Sequence, residues 1–279
     1  MKKLTATIPG FGIKRELAPE IVQHFGQHEL YYEPFCFSCA VLLAKPQCRN
    51  EVASDRNPDV INLLRCLTND NKAKQLWEFV STAPLSETLF EEAAERLKDP
   101  FSEKFTMWSR AADFLLVSWQ GPSGIAGTTR KPRFAVRNTT SGGSLAARWR
   151  GVAPAIPEWH TRLCNVEFRN CNAFEIIEDI PDRDGVLVYC DPPYTDDSRT
   201  GGRYLFDFTP EDHVRLRDAL ARFQKSRVVV SYRDCPTVND LYREWRTVTL
   251  RASRKLKNVV GGEQEDVGAD EILLINQGE

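Results

Sequence analysis

Along the carboxy-terminal part of the chain, short apolar segments typical of β-strands alternate with segments typical of helices. The strand candidates are 165–168, 185–189, 227–232, 246–250 and 271–275. Between the second and third of them, Thr209-Pro210-Glu211-Asp212 has the pattern of a capped helix start. The apolar residues that follow it at helical spacing are Val214, Leu216, Leu220 and Phe223. This alternation predicts an α/β fold with a mostly parallel sheet, covered by helices on both faces.

The amino-terminal part of the chain continues the same pattern. Residues 30–33 and 51–54 are strand candidates, and residues 15–25 place apolar side chains on one helical face. Asn57-Pro58 predicts a second helix, with Asn57 as the N-cap and the proline at the first helical position. Both ends of the chain therefore contribute to one sheet. Ligands bind such sheets at the carboxyl ends of the strands, where the strand order reverses.

The middle segment, residues 75–162, has a different character. A helical pattern begins at Ser86, but residues 120–124 and 138–143 are rich in turn formers and are predicted to be surface loops. From Lys104 to Arg162 there are nine lysines and arginines against two acidic residues, interleaved with aromatic side chains. This pattern is typical of a lobe that contacts nucleic acid, although solvated arginines around an aromatic core would give the same composition.

Composition restricts the class of protein further. The 279 residues carry a net charge of −2, and no apolar run reaches the roughly 20 residues of a membrane span. The basic start lacks an apolar segment behind it, so we expect no signal peptide, a cytoplasmic location and reduced cysteines. Cys36 and Cys39 have metal-like spacing, but no second Cys or His pair follows, and we expect no metal site.

The most specific motif is Asp191-Pro192-Pro193-Tyr194, which directly follows the apolar run 185–190. At average residue usage, this tetrapeptide would arise by chance in a chain of this length on the order of once per thousand. Its place at the carboxyl end of a predicted strand is where a catalytic loop belongs. The alternative is a structural turn that is stiffened by the prolines and capped by Asp191.

With this motif the chain resembles the Dam-like DNA adenine methyltransferases. Phe11 to Pro19 is similar to the opening aromatic-Gly-Gly-Lys segment of that family, and Glu33 to Val41 resembles its Glu-Pro-Phe cofactor loop. Asp55 stands at the position of its ribose-binding acidic residue. Asn172-Ala173-Phe174 and residues 242–246 resemble later segments of the family. The resemblance covers about 1–70 and 163–279 and is limited to position and composition in between.

The resemblance implies a Rossmann-like sheet that uses S-adenosylmethionine to methylate the N6 amine of adenine in double-stranded DNA. The catalytic domain would comprise 1–74 and 163–279, with 75–162 inserted as a mainly helical and irregular target-recognition lobe. The cofactor-binding residues it implies are Gly10, Phe11, Gly12, Lys14, Pro34, Phe35, Cys36, Phe37, Ser38, Asp55, Asn172, Ala173, Phe174 and Asp191. The candidate DNA-binding residues are Arg130, Lys131, Arg133, Arg137, Arg148 and Arg150. It further implies a bacterial or phage origin and a cognate restriction nuclease as a functional partner.

The residue types of the motif suit this chemistry. The carboxylate of Asp191 and the backbone carbonyl of Pro192 can accept the hydrogens of an exocyclic amine and direct its lone pair at a methyl donor. The consecutive prolines Pro192 and Pro193 fix φ and offer no competing N–H. Tyr194 is expected to stack on an adenine that has been flipped out of the helix.

Several positions depart from the family pattern. Phe37 stands where glycine is usual, Ile13 replaces another glycine, Gly10 stands where a large aromatic is common, and Asn172 replaces an aspartate. A side chain at position 37 could obstruct the approach of the backbone to the cofactor. One alternative is therefore a weak or silent DNA-binding relative. A second, independent of these positions, is methylation of another planar amine, namely cytosine N4, adenine in RNA or a glutamine side chain.

Overall fold

A seven-stranded sheet forms the centre of the computed structural model of this chain. The model describes residues 6–10, 12–98, 107–122, 126–135, 144–198, 203–250, 259–260, 263–264 and 270–276. The strands are β1 (Leu30–Glu33), β2 (Asn50–Asp55), β3 (Val166–Asn170), β4 (Val186–Cys190), β5 (Arg227–Arg233), β6 (Arg246–Thr249), β7 (Val259–Val260), β8 (Glu263–Gln264) and β9 (Glu271–Ile275). The order in the main sheet is β3-β2-β1-β4-β5-β9-β6, while β7 and β8 pair separately.

The sheet is parallel from β3 to β5, whereas β9 runs antiparallel to both of its neighbours, β5 and β6. The mostly parallel, Rossmann-like sheet predicted from the sequence is therefore confirmed. The strand order reverses between β1 and β4, because the chain proceeds outward from β1 to β2 on one side and from β4 to β5 on the other. The carboxyl ends of β1 and β4 are thus the expected position of a ligand.

Eleven helices lie within the described residues. They are α1 (Ala18–Val22), α2 (Ala40–Ala44), α3 (Pro58–Leu67), α4 (Asp70–Thr82), α5 (Glu87–Leu97), α6 (Met107–Gln120), α7 (Leu145–Arg150), α8 (Ala155–Leu163), α9 (Ala173–Asp179), α10 (Pro210–Ala221) and α11 (Pro236–Leu241). The predicted caps Asn57 and Thr209 are confirmed, because each side chain accepts a backbone N–H of the first helical turn. Ser86, where a helical pattern begins in the sequence, caps α5 in the same way. None of the described helices has the length and apolar character of a membrane span.

Two local predictions differ from the structure. The helix expected over 15–25 is shorter, because α1 covers only Ala18–Val22. Val214 was expected on the inward face of α10, but it is 40% exposed. The buried face of α10 is formed by His213, Leu216 and Leu220, and Val214 lies about 100° around the helix from His213.

The middle segment is packed more tightly than its composition suggests. Nine of the fourteen residues of α6 are buried. They include its last residue, Gln120, which the sequence pattern predicts to lie in a surface loop. One cluster of buried apolar side chains extends from the sheet through α3 to α6 and α8. The boundaries expected at 74/75 and 162/163 fall inside α4 and α8. The loop expected over 138–143 lies outside the described residues.

Candidate active site

A cleft opens at the carboxyl ends of β1 and β4, where the strand order reverses. Its empty space is about 1040 Å³, with the solvent-open mouth included. The walls come from the loop after β1, the end of β2, the loop after β4, the start of α9, residues 126–127 and residues 204–208. The cleft therefore brings together segments that are far apart in the sequence.

The Asp-Pro-Pro-Tyr motif forms one wall of this cleft. Strand β4 ends at Cys190, so Asp191 is the first residue beyond the sheet, and its side chain is 20% exposed. Pro192 and Pro193 also line the cleft. Tyr194 is only 3% exposed, and its ring lies beneath the surface of the cleft. The sequence predicts that Tyr194 stacks on the target base, which would need a ring that is open to the cleft. In this structure the ring is buried, because contacts of its hydroxyl group hold it inside the protein.

Those contacts belong to a buried cluster of four residues, Lys14, Asp191, Tyr194 and Glu271, which we call the Lys14 cluster. The Lys14 ammonium donates to Asp191 Oδ1 at 2.6 Å and to Tyr194 Oη at 2.5 Å, and it lies 3.2 Å from Glu271 Oε1. The Tyr194 hydroxyl donates to the Glu271 carboxylate at 2.8 Å. Lys14, which the resemblance assigns to the cofactor, lines the cleft, and its ammonium group contacts the loop after β4.

Glu271 was not among the residues selected from the sequence. It is the first residue of β9, which brings it next to β5, where the hydroxyl of Ser231 donates to its Oε1 at 2.7 Å. The sequence signal that could have identified Glu271 is a carboxylate at the start of the otherwise apolar run Glu271–Ile275, which forms a buried strand. A buried charge is costly unless it is paired, so such a residue indicates a partner elsewhere in the fold.

The charges of the Lys14 cluster shift the pKa values of its members. Burial acts to lower the pKa of Lys14, but the carboxylates of Asp191 and Glu271 raise it above its ordinary value, so Lys14 remains a cation. Burial raises the pKa of Asp191 to about 6, and the neighbouring Lys14 opposes this rise. Asp191 is therefore an ionised hydrogen-bond acceptor at neutral pH.

The opposite end of the cleft is built around Asp55, the last residue of β2. Its Oδ2 accepts the backbone N–H of Phe37 at 3.0 Å, and its Oδ1 accepts that of Asn57 at 2.7 Å. Burial raises the pKa of Asp55 to about 6, while these two N–H groups oppose the rise. Asp55 thus fixes the loop after β1 and retains acceptor capacity toward the cleft, since each carboxylate oxygen has two lone pairs.

Phe37 adopts a positive φ of 27°, in the left-handed region that favours glycine. Its ring occupies the space between Gly10 and Gly127. A Cβ at Gly10 would collide with this ring, and a Cβ at Gly127 would lie 2.8 Å from it. The two departures from the family pattern therefore compensate each other, because the absence of a side chain at position 10 leaves room for the ring at position 37.

Three aromatic side chains pack together near the start of α9. The rings of Phe174 and Phe208 are stacked with centroids 5.8 Å apart, and Phe35 contacts Phe208 edge-on at 5.6 Å. The side chain of Asn172 caps α9 by accepting the N–H of Phe174. Phe208 was not selected from the sequence, since no motif surrounds it.

The structure brings together most of the expected cofactor residues. Those that line the cleft are Gly12, Lys14, Pro34, Phe35, Cys36, Phe37, Ser38, Asp55, Asn172, Ala173 and Asp191. Gly10 does not line the cleft itself but packs against the ring of Phe37, which does. Likewise, Phe174 stacks against Phe208, which lines the cleft. Phe11 lies outside the described residues.

The candidate DNA-binding residues divide into two groups. Arg130, Lys131, Arg133 and Arg150 are exposed. Arg148 instead donates to the backbone carbonyls of Trp119 and Gly121, at 2.6 and 3.0 Å. Its guanidinium group therefore joins α6 to α7. Arg137 lies outside the described residues.

The sequence of this chain matches a known family of proteins. The model of the family "D12 class N6 adenine-specific DNA methyltransferase" matches residues 11–256. The retron Ec67 DNA adenine methylase of Escherichia coli is 26% identical over 95% of this chain and 89% of its own length. The DNA adenine methylase of Escherichia coli strain K12 is 25% identical over 99% and 96%. Among solved structures, the rRNA methyltransferase aviRa from Streptomyces viridochromogenes aligns at 15% identity and a TM-score of 0.38, covering 97% of this chain and 87% of its own.

Proposed function

This chain belongs to the D12 class of N6 adenine-specific DNA methyltransferases, and we propose that Asp191 and the backbone carbonyl of Pro192 orient the target amine. Its substrate is DNA and its methyl donor is S-adenosylmethionine. One observation carries the proposal: a partly exposed, ionised carboxylate projects from the carboxyl end of β4 into the cleft at the strand-order reversal.

The geometry of Asp191 suits the task. The exocyclic amine of adenine is a poor nucleophile because its lone pair is delocalised into the ring. Lys14 donates to Oδ1 of Asp191, which leaves Oδ2 able to accept one amine hydrogen while the Pro192 carbonyl accepts the other. The nitrogen then becomes more tetrahedral, and its lone pair points at the methyl donor. Orientation of the reacting groups is one source of the rate acceleration. The proton that the nitrogen loses after methylation passes to solvent, so no further base is required.

The cleft also fits the methyl donor. Its lining combines a few polar groups with apolar and aromatic side chains, as is typical of small-molecule pockets. The carboxylate of Asp55 can accept from the ribose hydroxyls, and the loop 34–38 presents its backbone. Phe208, whose ring stacks on the buried Phe174, offers flat apolar surface to an adenine ring. When bound, the donor supplies an electrophilic methyl group. Asp191 lies on a wall of the same cleft, so it would lie between the methyl donor and the target base.

We propose that the middle segment, residues 75–162, forms the face of the enzyme that recognises DNA. Its exposed cations Arg130, Lys131, Arg133 and Arg150 are suited to contact phosphates. Arg148 is excluded from this set, because its guanidinium group is bonded to backbone carbonyls. The salt dependence of DNA binding by an Arg130→Ala variant tests the assignment, since each lost phosphate contact lowers the slope by about 1.

The catalytic assignment is tested with Asp191→Ala. We expect methyl transfer to DNA to fall at least about a hundredfold, because an acceptor that acts in the transition state is removed. DNA affinity and cofactor affinity are expected to change little. The product is identified by mass spectrometry of digested DNA, which separates N6-methyladenine from N4-methylcytosine. Wild-type turnover by the variant would show that Asp191 does not orient the amine.

A further inference from the structure

A short extended segment crosses the mouth of the cleft. We call residues 203–206 the strap. Its backbone pairs with the middle segment: the N–H of Thr129 donates to the carbonyl of Arg203 at 3.1 Å, and the N–H of Leu205 donates to that of Gly127 at 2.9 Å. Thr128 and Tyr204 form an antiparallel bridge between these two bonds. The strap therefore joins the region that follows the catalytic loop to the segment that carries the exposed cations.

The side chains of the strap alternate between two faces, as in a β-strand. Tyr204 and Phe206 face the protein. The hydroxyl group of Tyr204 covers Gly12, where a Cβ would lie 3.2 Å from it, and the ring of Phe206 lies 5.3 Å from the guanidinium group of Arg56. Arg203 and Leu205 face outward. Leu205 is 51% exposed, the largest fraction among the described exposed large hydrophobic residues.

An isolated leucine on a protein surface is ordinary, so the position of Leu205 is what matters. It lies at the rim of the cleft through which a target base must enter. Exposed cations lie on one side of it, with Arg203 on the strap and Arg130 and Lys131 directly after Thr129, which pairs with Arg203. An exposed apolar side chain beside a group of cations matches a DNA duplex, in which the stacked bases are apolar and the phosphates are anionic.

We propose that Leu205 fills the space in the base stack from which the target adenine is withdrawn, while Arg203 and Arg130 contact the flanking phosphates. The proposal rests on the function proposed above, since it assumes an extruded adenine. Unstacking a base costs free energy, and apolar wedges, leucine among them, are inserted between bases by proteins that distort DNA. Leu205 is thereby a residue that lowers the cost of base extrusion without touching the reacting atoms.

The experiment compares Leu205→Ala with Val214→Ala, which truncates another exposed apolar residue on α10. The substrate is a synthetic duplex with one adenine that the wild-type enzyme methylates. A second duplex has an abasic site opposite this adenine, which removes its pairing partner. We expect Leu205→Ala to lower kcat/KM about tenfold on the paired duplex and to stay within about twofold of wild type on the abasic duplex. Val214→Ala should match the wild type on both.

A second readout follows extrusion directly. With 2-aminopurine in place of the target adenine, wild-type enzyme should raise its fluorescence, and Leu205→Ala should give a smaller rise at saturating protein. Equal rates of Leu205→Ala and wild type on the paired duplex would overturn the wedge. So would an equal loss on both duplexes, because that pattern indicates a damaged cleft. If the wild-type enzyme methylates no adenine, the function itself fails, and this outcome is distinct from failure of the wedge.

Discussion

The two ends of the cleft are held together in different ways. At the catalytic end, the Lys14 cluster joins an ammonium group, two carboxylates and a phenol through side-chain contacts of 2.5 to 3.2 Å. At the cofactor-loop end, Asp55 binds two backbone N–H groups, and the ring of Phe37 fills the space between two glycines. The first end depends on charge, whereas the second depends on backbone position and on shape.

This difference indicates which substitutions each end should tolerate. A buried ion cluster is sensitive to the loss of one charge, because the remaining charges are left without compensation. A ring packed between glycines is sensitive to added volume, because nearby backbone cannot move far. We therefore expect charge changes to act on the reaction at the catalytic end, and volume changes to act on the loop at the other.

The largest effect is expected for Lys14→Met, which removes the central cation of the cluster. We expect methyl transfer at neutral pH to fall at least about a hundredfold, because Asp191 and Glu271 lose their shared counter-charge and one of them takes up a proton. The affinity for S-adenosylmethionine should stay within about threefold of wild type, a difference under 1 kcal/mol. Steady-state kinetics and calorimetry measure the two quantities.

Asp55→Ala is the matched variant at the other end of the cleft. It should weaken cofactor binding, because the loop after β1 loses its anchor, with a smaller effect on kcat at saturating cofactor. If Lys14→Met lost cofactor affinity to the same extent as Asp55→Ala, Lys14 would belong to the cofactor site, and the distinction between the two ends would be wrong.

An intermediate effect is expected for Gly10→Ala. The added methyl group meets the ring of Phe37, and such overpacking typically costs about 1–3 kcal/mol of folding free energy. Phe37→Ala in the same chain should recover most of this loss, because it removes the ring. Denaturant unfolding of the two single variants and the double variant measures the coupling. Purely additive changes in the free energy of unfolding would show that the two positions do not share one space.

The smallest effect is expected for Glu271→Gln, seen in the pH dependence of transfer. The ionised form of Asp191 is the acceptor, so transfer should be present above its pKa of about 6 and decline as the pH falls through that value. The charge of Glu271 raises this pKa. Removing this charge should therefore move the fall in transfer rate on the acid side of the pH profile to lower pH, by up to about one pH unit. If the acid side of the pH profile of Glu271→Gln matched that of the wild type, Glu271 would have only a structural role.

Local patterns determined much of the fold and the place of the site. The alternation of apolar segments predicted the parallel strands, and Asn57, Ser86 and Thr209 predicted helix starts, because a cap needs only residues within one turn. Asp191 was assigned to a catalytic loop because its motif follows a buried strand, and a strand of a parallel sheet brings its carboxyl end to the ligand.

What only the tertiary structure decided concerns partners that are distant in the sequence. Glu271 reaches Lys14 because β9 enters the sheet beside β5, and no local pattern shows this pairing. Likewise, Phe37 is accommodated because Gly10 and Gly127 come together from separate segments. The physical reason is the same in both cases. Backbone periodicity and capping act over a few residues and can be read along the chain, whereas the compensation of a buried charge or the filling of a space depends on which elements the fold brings into contact.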